Sequence, residues 1–191
     1  MRVITGTARG RRLRTLEGHD VRPTTDRVKE AVFSVIQFDI EGRRILDLFA
    51  GSGQMGIEAL SRGASEAVFV DSSSASIAVV RENLRTCGLN GAAVVVQGDA
   101  LSYLAPRAGR PEFDYAFLDP PYGKGILQAA LPAAAAVMKP NGAIICESPA
   151  EEALPEEAGG FAIDRQYRYG RIKVTFYRIP QEVDADGGDD E

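Results

Sequence analysis

A glycine-rich turn between an apolar strand and a helix is the feature that most constrains how this chain folds. Residues 45–50 are Ile-Leu-Asp-Leu-Phe-Ala, and they lead into Gly51-x-Gly53-x-x-Gly56 and then a helical pattern. Glycines let a ligand approach the backbone closely, and the following helix presents its free N–H groups to that ligand. The next strand ends in Asp71, where an acid can hold ribose hydroxyls. The pattern predicts a site for a nucleoside cofactor; the alternative is a tight turn beside a helix-capping acid.

Strands and helices alternate along the whole chain. Apolar runs predict five strands, over residues 44–49, 67–71, 93–97, 113–118 and 143–147. Helices are expected between them, and a closing antiparallel pair is expected over residues 161–165 and 172–178. This alternation predicts an α/β fold with a mostly parallel seven-stranded sheet and helices on both faces.

Four local patterns refine this fold. Residues 2–7 and 11–16 predict a small N-terminal β-hairpin, and a helix is expected to start at Pro23-Thr24-Thr25. The helix predicted over residues 125–138 contains Pro132, which we expect to kink or end it. Lys139-Pro140-Asn141-Gly142 predicts a turn before the fifth strand.

Four acids fall at the ends of predicted strands, namely Asp47, Asp71, Asp99 and Asp119. Ligands of parallel α/β sheets bind at the carboxyl ends of the strands, so these acids are expected to line one site. Asp47 lies four residues before the first glycine, where a negative charge would repel a pyrophosphate. It suits a cationic ligand, such as the ammonium group of a methionine moiety. This favours S-adenosylmethionine over a dinucleotide.

Asp119-Pro120-Pro121-Tyr122 follows an apolar run that predicts a buried strand. The carboxylate can accept a hydrogen bond from an amine, and the prolines fix the backbone so that the Pro120 carbonyl can face a ligand. The ring of Tyr122 can stack on a flat base. This set suits an enzyme that holds an exocyclic amino group of a nucleobase. The alternative is a proline-rich turn with a surface tyrosine.

The net charge of −5 is unevenly distributed. Residues 180–191 hold six acids and no base, so residues 1–179 carry 22 bases and 21 acids, a net charge of +1. We expect this acidic tail to be disordered. The first thirty residues hold eight bases against four acids, and residues 1–20 form a separate basic extension. Phosphate contacts are expected from Arg9, Arg11, Arg12, Arg14 and Arg22, the alternative being a solvated hairpin surface.

Composition argues against several classes of protein. No apolar run reaches membrane-spanning length, and the N-terminus lacks the long apolar segment of a signal peptide. His19 is the only histidine, so a histidine-dependent triad or histidine-rich metal site is not expected. Cys146 lies in an apolar strand, where we expect it to be part of the core. A reducing cytoplasm fits these features.

The chain resembles the class I S-adenosylmethionine-dependent methyltransferases, and most closely the RsmD-type enzymes that methylate guanine N2 in 16S ribosomal RNA. The resemblance covers nearly all of the chain before the acidic tail. It rests on residues 22–30 (Arg-Pro-Thr-Thr-Asp-Arg-Val-Lys-Glu), residues 47–53, residues 59–64 (Ala-Leu-Ser-Arg-Gly-Ala), Asp119-Pro120-Pro121-Tyr122 and Tyr169-Gly170-Arg171.

The resemblance implies a Rossmann-like methyltransferase domain over residues 21–179 and assigns roles to residues. It implies cofactor contacts from Thr24, Asp47, Phe49, Ala50, Gly51, Ser52, Gly53, Asp71, Ser72, Asp99 and Ala100. It implies catalytic roles for Asp119, Pro120, Pro121 and Tyr122. Ser72-Ser73-Ser74 departs from the family, which often has a larger or charged residue near the adenine edge.

The resemblance also implies partners. The substrate is 16S rRNA or an assembling small subunit, and the enzyme is expected to act as a monomer. No metal is expected, because the sulfonium leaving group is already activated. Two other interpretations remain open: an amino-methyltransferase for adenine N6 or a protein amide, and a ribosome-assembly factor that binds S-adenosylmethionine with little catalysis. A nicotinamide oxidoreductase is disfavoured, because nothing supplies its hydride-transfer acid.

Overall fold

The computed structural model describes residues 1–16, 24–123 and 125–181. The helices are α1 Thr24–Ile36, α2 Gln54–Ser61, α3 Ser74–Cys87, α4 Ala100–Leu104 and α5 Ile126–Ala135. The strands are β1 Arg44–Leu48, β2 Glu66–Asp71, β3 Ala93–Gln97, β4 Phe113–Leu118, β5 Met138–Pro149, β6 Glu157–Ala158, β7 Phe161–Tyr169 and β8 Ile172–Arg178. Within these ranges no helix combines the length and apolarity needed to cross a bilayer. His19, Arg22 and residues 182–191 of the predicted tail lie outside the described residues.

The strands form one mixed sheet of eight strands in the order β3-β2-β1-β4-β5-β8-β7-β6. Strands β1 to β5 are parallel to one another, and β8, β7 and β6 continue the sheet in antiparallel pairs. The predicted seven strands become eight because β6, a two-residue strand, is too short to give a sequence pattern. The strand order reverses direction at β1 and β4, which is where α/β sheets of this kind bind ligands.

Alternating strand residues pack against helices on opposite faces of the sheet. On one face, Ile45, Phe69 and Phe117 join a core with residues of α1, α2 and α3. On the other face, Leu46, Val70 and Leu118 join a second core with residues of α4 and α5, and Cys146 is buried there as predicted. All residues of β4 are buried. The prediction of helices on both faces of a strongly apolar sheet is confirmed.

The predicted N-terminal hairpin is wrong in detail. Arg2 and Arg12 form a single antiparallel bridge, and no longer strands form in residues 1–16. The two ends of the segment do pair, since Val3 N donates to Arg11 O at 2.9 Å and Leu13 N donates to Met1 O at 3.1 Å, but the backbone between these ends binds α2. Ile4 N and Thr5 N donate to the Glu58 carboxylate at 2.8 and 3.0 Å, and Thr7 N donates to Ser61 O at 2.8 Å.

Two local predictions near β5 also differ from the structure. The chain stays helical through Pro132 and α5 ends at Ala135, so the proline does not end the helix, and a kink at Pro132 stays a prediction. The predicted turn over residues 139–142 is instead an irregular part of β5, because the register with β4 shifts between Phe113 and Tyr115. A Cβ on Gly142 would lie 2.6 Å from Asp114 O, so this segment requires glycine to approach β4.

Candidate active site

The parallel strands bring the predicted acids to one edge of the sheet. Leu48 of β1 lies opposite Val70 of β2 on one side and opposite Leu118 of β4 on the other. Asp71 and Asp119 are the next residues after these partners, so they flank the end of β1. Asp47 precedes that end, and Asp99 follows β3 by two residues. The sheet therefore assembles the predicted acids at its carboxyl edge, while their chemical roles remain predictions.

The glycine-rich turn between β1 and α2 is strained and tightly packed. Phe49 is the one non-glycine residue with positive φ in the described chain, at 68°, and both Phe49 N and Ala50 N donate to Val70 O at 3.0 Å. Gly53 has a φ of 75° and is the N-cap residue immediately before α2. A Cβ on Gly56 would lie 2.4 Å from the Phe69 ring, so this glycine allows α2 to pack against β2. Backbone strain of this kind persists only where the surrounding structure enforces it, and strained positions are common at ligand sites.

Asp71 connects the glycine-rich turn to the start of α3. Gly51 N donates to Asp71 Oδ2 at 2.8 Å, and Ser73 N donates to Asp71 Oδ1 at 2.8 Å. Each carboxylate oxygen has a further lone pair, so the group keeps capacity to accept hydroxyl hydrogen bonds. The structure thus gives Asp71 a second role, in positioning the turn, that the sequence analysis did not predict.

Asp47 is a buried carboxyl group with a displaced pKa. Its side chain is 4% exposed, and Oδ2 accepts a hydrogen bond from Gly56 N at 2.9 Å. Burial raises the pKa of Asp47 to about 7, the Gly56 hydrogen bond opposes this rise, and the Asp71 charge adds to it. A buried carboxylate without a paired cation is unfavourable, so the site favours a positively charged partner.

The first prediction concerns the pH dependence at Asp47. The cation binds the ionised form of Asp47. Below the Asp47 pKa of about 7 the carboxyl group is protonated, so binding of the cation must release that proton. We expect S-adenosylmethionine affinity to fall by about tenfold per pH unit below that pKa and to be flat just above it. Asp47→Asn keeps an acceptor for Gly56 N and should lose both this slope and about tenfold in affinity at neutral pH. If calorimetry gave the same dependence of affinity on pH for the wild type and for Asp47→Asn, this assignment would be contradicted.

The remaining predicted cofactor residues surround the same edge. Asp99 is exposed and caps α4, where its hydrogen bond from Ser102 N, 2.8 Å long, lowers the Asp99 pKa. Ala100 is buried at the first position of α4, and Ser72 is exposed. Ser52 O accepts a hydrogen bond from Asn83 Nδ2 at 2.9 Å. Thr24 begins α1, but its side chain lies outside the described structure.

The Asp119-Pro120-Pro121-Tyr122 loop follows β4 directly. Asp119 and Pro121 are exposed, whereas Pro120 is buried. Tyr122 Oη donates a 2.8 Å hydrogen bond to Glu147 Oε1. Glu147 is in β5, where Cys146 lies opposite Leu118, so Asp119 and Glu147 are neighbours at the sheet edge. The sequence analysis missed Glu147, although the predicted fifth strand also ended in this acid.

A cavity of about 750 Å³ lies beside Tyr122. Its walls are formed by Arg27, Tyr122, Pro149, Arg168, Tyr169, Gly170, Arg171 and Ile172. Sequence reasoning had noted the Tyr169-Gly170-Arg171 motif without giving it a role. An aromatic residue between two arginines in a predicted turn is the sequence pattern that could have indicated this cavity.

The four predicted phosphate-binding arginines that the structure describes, Arg9, Arg11, Arg12 and Arg14, lie elsewhere. Ala8 N donates to Ser61 Oγ at 2.9 Å, so the turn that carries Arg9 packs at the end of α2 farthest from the glycine-rich turn. Arg14 pairs with Glu82 of α3 at 2.6 Å. None of Arg9, Arg11, Arg12 and Arg14 lines the cavity beside Tyr122.

A sheet of this order, with a glycine-rich turn after β1 and an Asp-Pro-Pro-Tyr loop after β4, defines an α/β methyltransferase. The protein of known structure described as "Putative methyltransferase yhhF from Escherichia coli" matches with a TM-score of 0.81 and 34% identity, covering 95% of this chain and 99% of that one. The chain belongs to the family described as Conserved hypothetical protein 95, whose model matches residues 1–178.

Curated relatives agree with this assignment. "Putative rRNA methyltransferase YlbH" of Bacillus subtilis is 42% identical, over 93% of this chain and 98% of the relative. Ribosomal RNA small subunit methyltransferase D of Escherichia coli is 33% identical, over 97% of this chain and 93% of the relative. The protein is therefore an enzyme of the methyltransferase class, as the sequence resemblance predicted.

Proposed function

We propose that this enzyme transfers a methyl group from S-adenosylmethionine to the exocyclic N2 amine of a guanine in 16S rRNA. The observation that carries the proposal is the position of Asp119 beside the end of β1, where the glycine-rich turn begins, with Tyr122 three residues further along the same loop. A relative that is 33% identical over almost the full chain bears the name ribosomal RNA small subunit methyltransferase D, which supports small-subunit rRNA as the substrate.

The residues present fit S-adenosylmethionine. A Cβ on Gly51 would meet only Phe49 O, at 4.0 Å, so the backbone of the turn faces open space. Gln54 Oε1, in the first turn of α2, is a buried oxygen without a hydrogen-bond partner in the described chain. A ligand donor would satisfy this oxygen, since buried polar atoms are normally paired. Asp71 would hold the ribose, and Asp47 would face the ammonium group.

The chain's own residues would act on the amine. The 2-amino nitrogen of guanine is a poor nucleophile, because its lone pair is delocalised into the ring. Hydrogen bonds from the amine to the Asp119 carboxylate and the Pro120 carbonyl favour a pyramidal nitrogen with a free lone pair. When bound, S-adenosylmethionine supplies a methyl group activated by its sulfonium. Catalysis then comes mainly from positioning and electrostatics.

Tyr122 would stack on a base that has left its helical stack. The second prediction uses its hydroxyl, which binds Glu147. Tyr122→Ala should lower single-turnover methylation by the loss of about 1–3 kcal/mol of stacking. Tyr122→Phe keeps the ring but loses the hydrogen bond to Glu147, so we expect a smaller, several-fold loss, about 0.5–1.5 kcal/mol.

Glu147→Gln is the matched control for the hydroxyl, because the glutamine amide oxygen still accepts its hydrogen bond. We expect this variant to retain more activity than Tyr122→Phe. Equal losses in Tyr122→Phe and Tyr122→Ala would show that the hydroxyl, and not stacking, is the main contribution of this residue.

Three substrate classes tested in parallel decide between the remaining alternatives. Purified enzyme and labelled S-adenosylmethionine are incubated with small ribosomal subunits lacking the modification, with DNA, and with ribosomal protein. We expect label in RNA alone. Label in DNA or protein would favour another amino-methyltransferase, and binding of S-adenosylmethionine without turnover would favour an assembly factor.

Several assignments stay proposals alongside this one. Arg9, Arg11, Arg12, Arg14 and Arg22 are proposed to contact rRNA phosphates as part of an extension over residues 1–20. The catalytic domain is proposed to span residues 21–179, with the acidic tail of residues 180–191 as a separate segment. We propose that the enzyme acts as a monomer, without a metal ion, and in the cytoplasm where the small subunit is assembled.

A further inference from the structure

The cavity beside Tyr122 lies at the same edge of the sheet as the proposed reaction centre. Strand β8 runs antiparallel to β5, with Ile172 opposite Pro149, so the turn between β7 and β8 lies at the carboxyl end of β5. Strand β8 is two strands from β4, about 10 Å at the usual strand spacing. A polynucleotide that places one base against Tyr122 would therefore extend its chain over this turn.

The cavity is rich in positive charge. Arg27 comes from the first turn of α1, and Arg168 and Arg171 flank the β7–β8 turn; all three are exposed. Within the described part of the chain, neither Arg27 nor Arg171 forms an ion pair. Arg168 pairs with Glu151 at 2.6 Å, but Glu151 is 83% exposed, so water weakens that pair. Arg27 and Arg171, which have no ion-pair partner among the described residues, both line this cavity. Guanidinium is the side-chain group best suited to bidentate phosphate binding.

Aromatic rings accompany these charges. Tyr122 and Tyr169 both line the cavity, and both are partly buried. Arginine beside tyrosine is the combination by which proteins hold unstacked RNA, since guanidinium groups take the phosphates and rings stack on bases. A site for a free inorganic anion would require the arginine charges but not the tyrosine rings. The volume of about 750 Å³ is also in the range of sites that hold a nucleotide-sized ligand.

We propose that this cavity binds the nucleotides that adjoin the target guanine, with Arg27 and Arg171 on their phosphates and Tyr169 stacked on a neighbouring base. The inference rests on the proposed function for the substrate class, but it names a surface different from the basic N-terminal segment. It accounts for how the enzyme can hold RNA immediately beside the reacting base.

The test compares two double variants of equal charge. Arg27→Ala/Arg171→Ala removes the two cavity arginines that form no ion pair with a described residue. Arg85→Ala/Arg110→Ala removes two exposed arginines, one at the C-terminal end of α3 and one before β4, both at the opposite edge of the sheet. Methylation kinetics use small subunits purified from a strain lacking this protein, and RNA affinity is measured on 16S rRNA fragments over a range of salt concentrations.

The cavity variant should raise KM for small subunits by about tenfold or more and leave the rate at saturation and S-adenosylmethionine affinity unchanged. Its log–log salt slope should fall by about 1.4–1.8, from about 0.7–0.9 per lost phosphate contact. The control variant should match the wild type in KM. Tyr169→Ala should weaken RNA binding, and Tyr169→Phe should restore it.

Equal KM and equal salt slope in the cavity variant and the wild type would overturn the proposal, and so would equal losses in the two double variants. Failure of the proposed function has a different signature, because the wild type itself would then transfer no methyl group to small subunits. In that case the salt slopes on 16S rRNA fragments still decide whether the cavity binds RNA.

Discussion

Asp119→Ala is expected to reduce single-turnover methylation by about 10²-fold or more, the scale for removing one preorganised contact made in the transition state. Asp119 follows the last residue of β4 and is exposed, so its removal should leave the core packing of the sheet unchanged. S-adenosylmethionine affinity should also persist, because none of the residues proposed to hold the cofactor belongs to the loop that follows β4.

The measurement is a single-turnover assay on small subunits, with calorimetry of S-adenosylmethionine binding and thermal unfolding as controls. Asp99→Ala is the matched variant, since it removes another exposed strand-end carboxylate at the same edge. It should lower cofactor affinity and spare the rate at saturating cofactor. Near-wild-type methylation by Asp119→Ala with the cofactor still bound would refute the amine-holding mechanism.

The second large effect is on stability and comes from Glu58. This carboxylate is fully buried and accepts hydrogen bonds from Ile4 N, Thr5 N and Arg62 Nε, the last at 2.9 Å. Lys29 Nζ lies 3.5 Å from Oε2 and is also buried. Removing one partner of a buried ion pair leaves the other charge uncompensated, so Glu58→Ala should lower the free energy of unfolding by about 3–5 kcal/mol.

The pH dependence of the stability loss in Glu58→Ala distinguishes two causes. One is the uncompensated charge of Lys29, and the other is the empty space left by the removed side chain. Burial lowers the Lys29 pKa from its ordinary value, and loss of Glu58 should lower it further. A lysine whose pKa is lower in the folded state than in the unfolded state reduces the free energy of unfolding. This reduction is complete at a pH where the lysine is protonated in both states. Stability therefore rises with pH from the folded-state pKa to the unfolded-state value of about 10.4. The loss in Glu58→Ala should accordingly be smaller at alkaline pH than at neutral pH.

Denaturant unfolding of three variants tests this account. Glu58→Gln keeps a hydrogen-bond acceptor and should lose less stability than Glu58→Ala. The glutamine variant can therefore still be measured if the alanine variant folds poorly. Glu82→Ala breaks the exposed pair with Arg14 and should change stability by about 1 kcal/mol or less. Equal losses in Glu58→Ala and Glu82→Ala would show that the buried network does not hold the N-terminal segment.

The central strands could be predicted because parallel strands buried on both faces are continuous apolar runs. Strand β4 occupies residues 113–118 as predicted, and the acids after these strands fall at one edge because the strands are parallel. Tertiary contacts override local patterns elsewhere. The N-terminal segment lacks hairpin strands because its backbone binds Glu58 and Ser61, more than fifty residues away. No local pattern can indicate such a partner.

The site was only partly predictable for the same reason. The glycine-rich turn and the acids Asp47 and Asp71 lie within one βαβ unit, so their spacing alone indicates a nucleoside site. The bond between Tyr122 and Glu147 joins the loop after β4 to β5, and the cavity joins α1 to the β7–β8 turn. These contacts depend on strand order, which places β8 beside β5, and sequence periodicity carries no information about that order.

The product nucleoside tests the central claim most directly. Small subunits from a strain lacking this protein are incubated with the purified enzyme and S-adenosylmethionine carrying a tritiated methyl group, and the RNA is then digested to nucleosides and separated. The account predicts that the label appears as N2-methylguanosine from 16S rRNA. Label in N6-methyladenosine, in ribosomal protein, or in no nucleoside at all would contradict it.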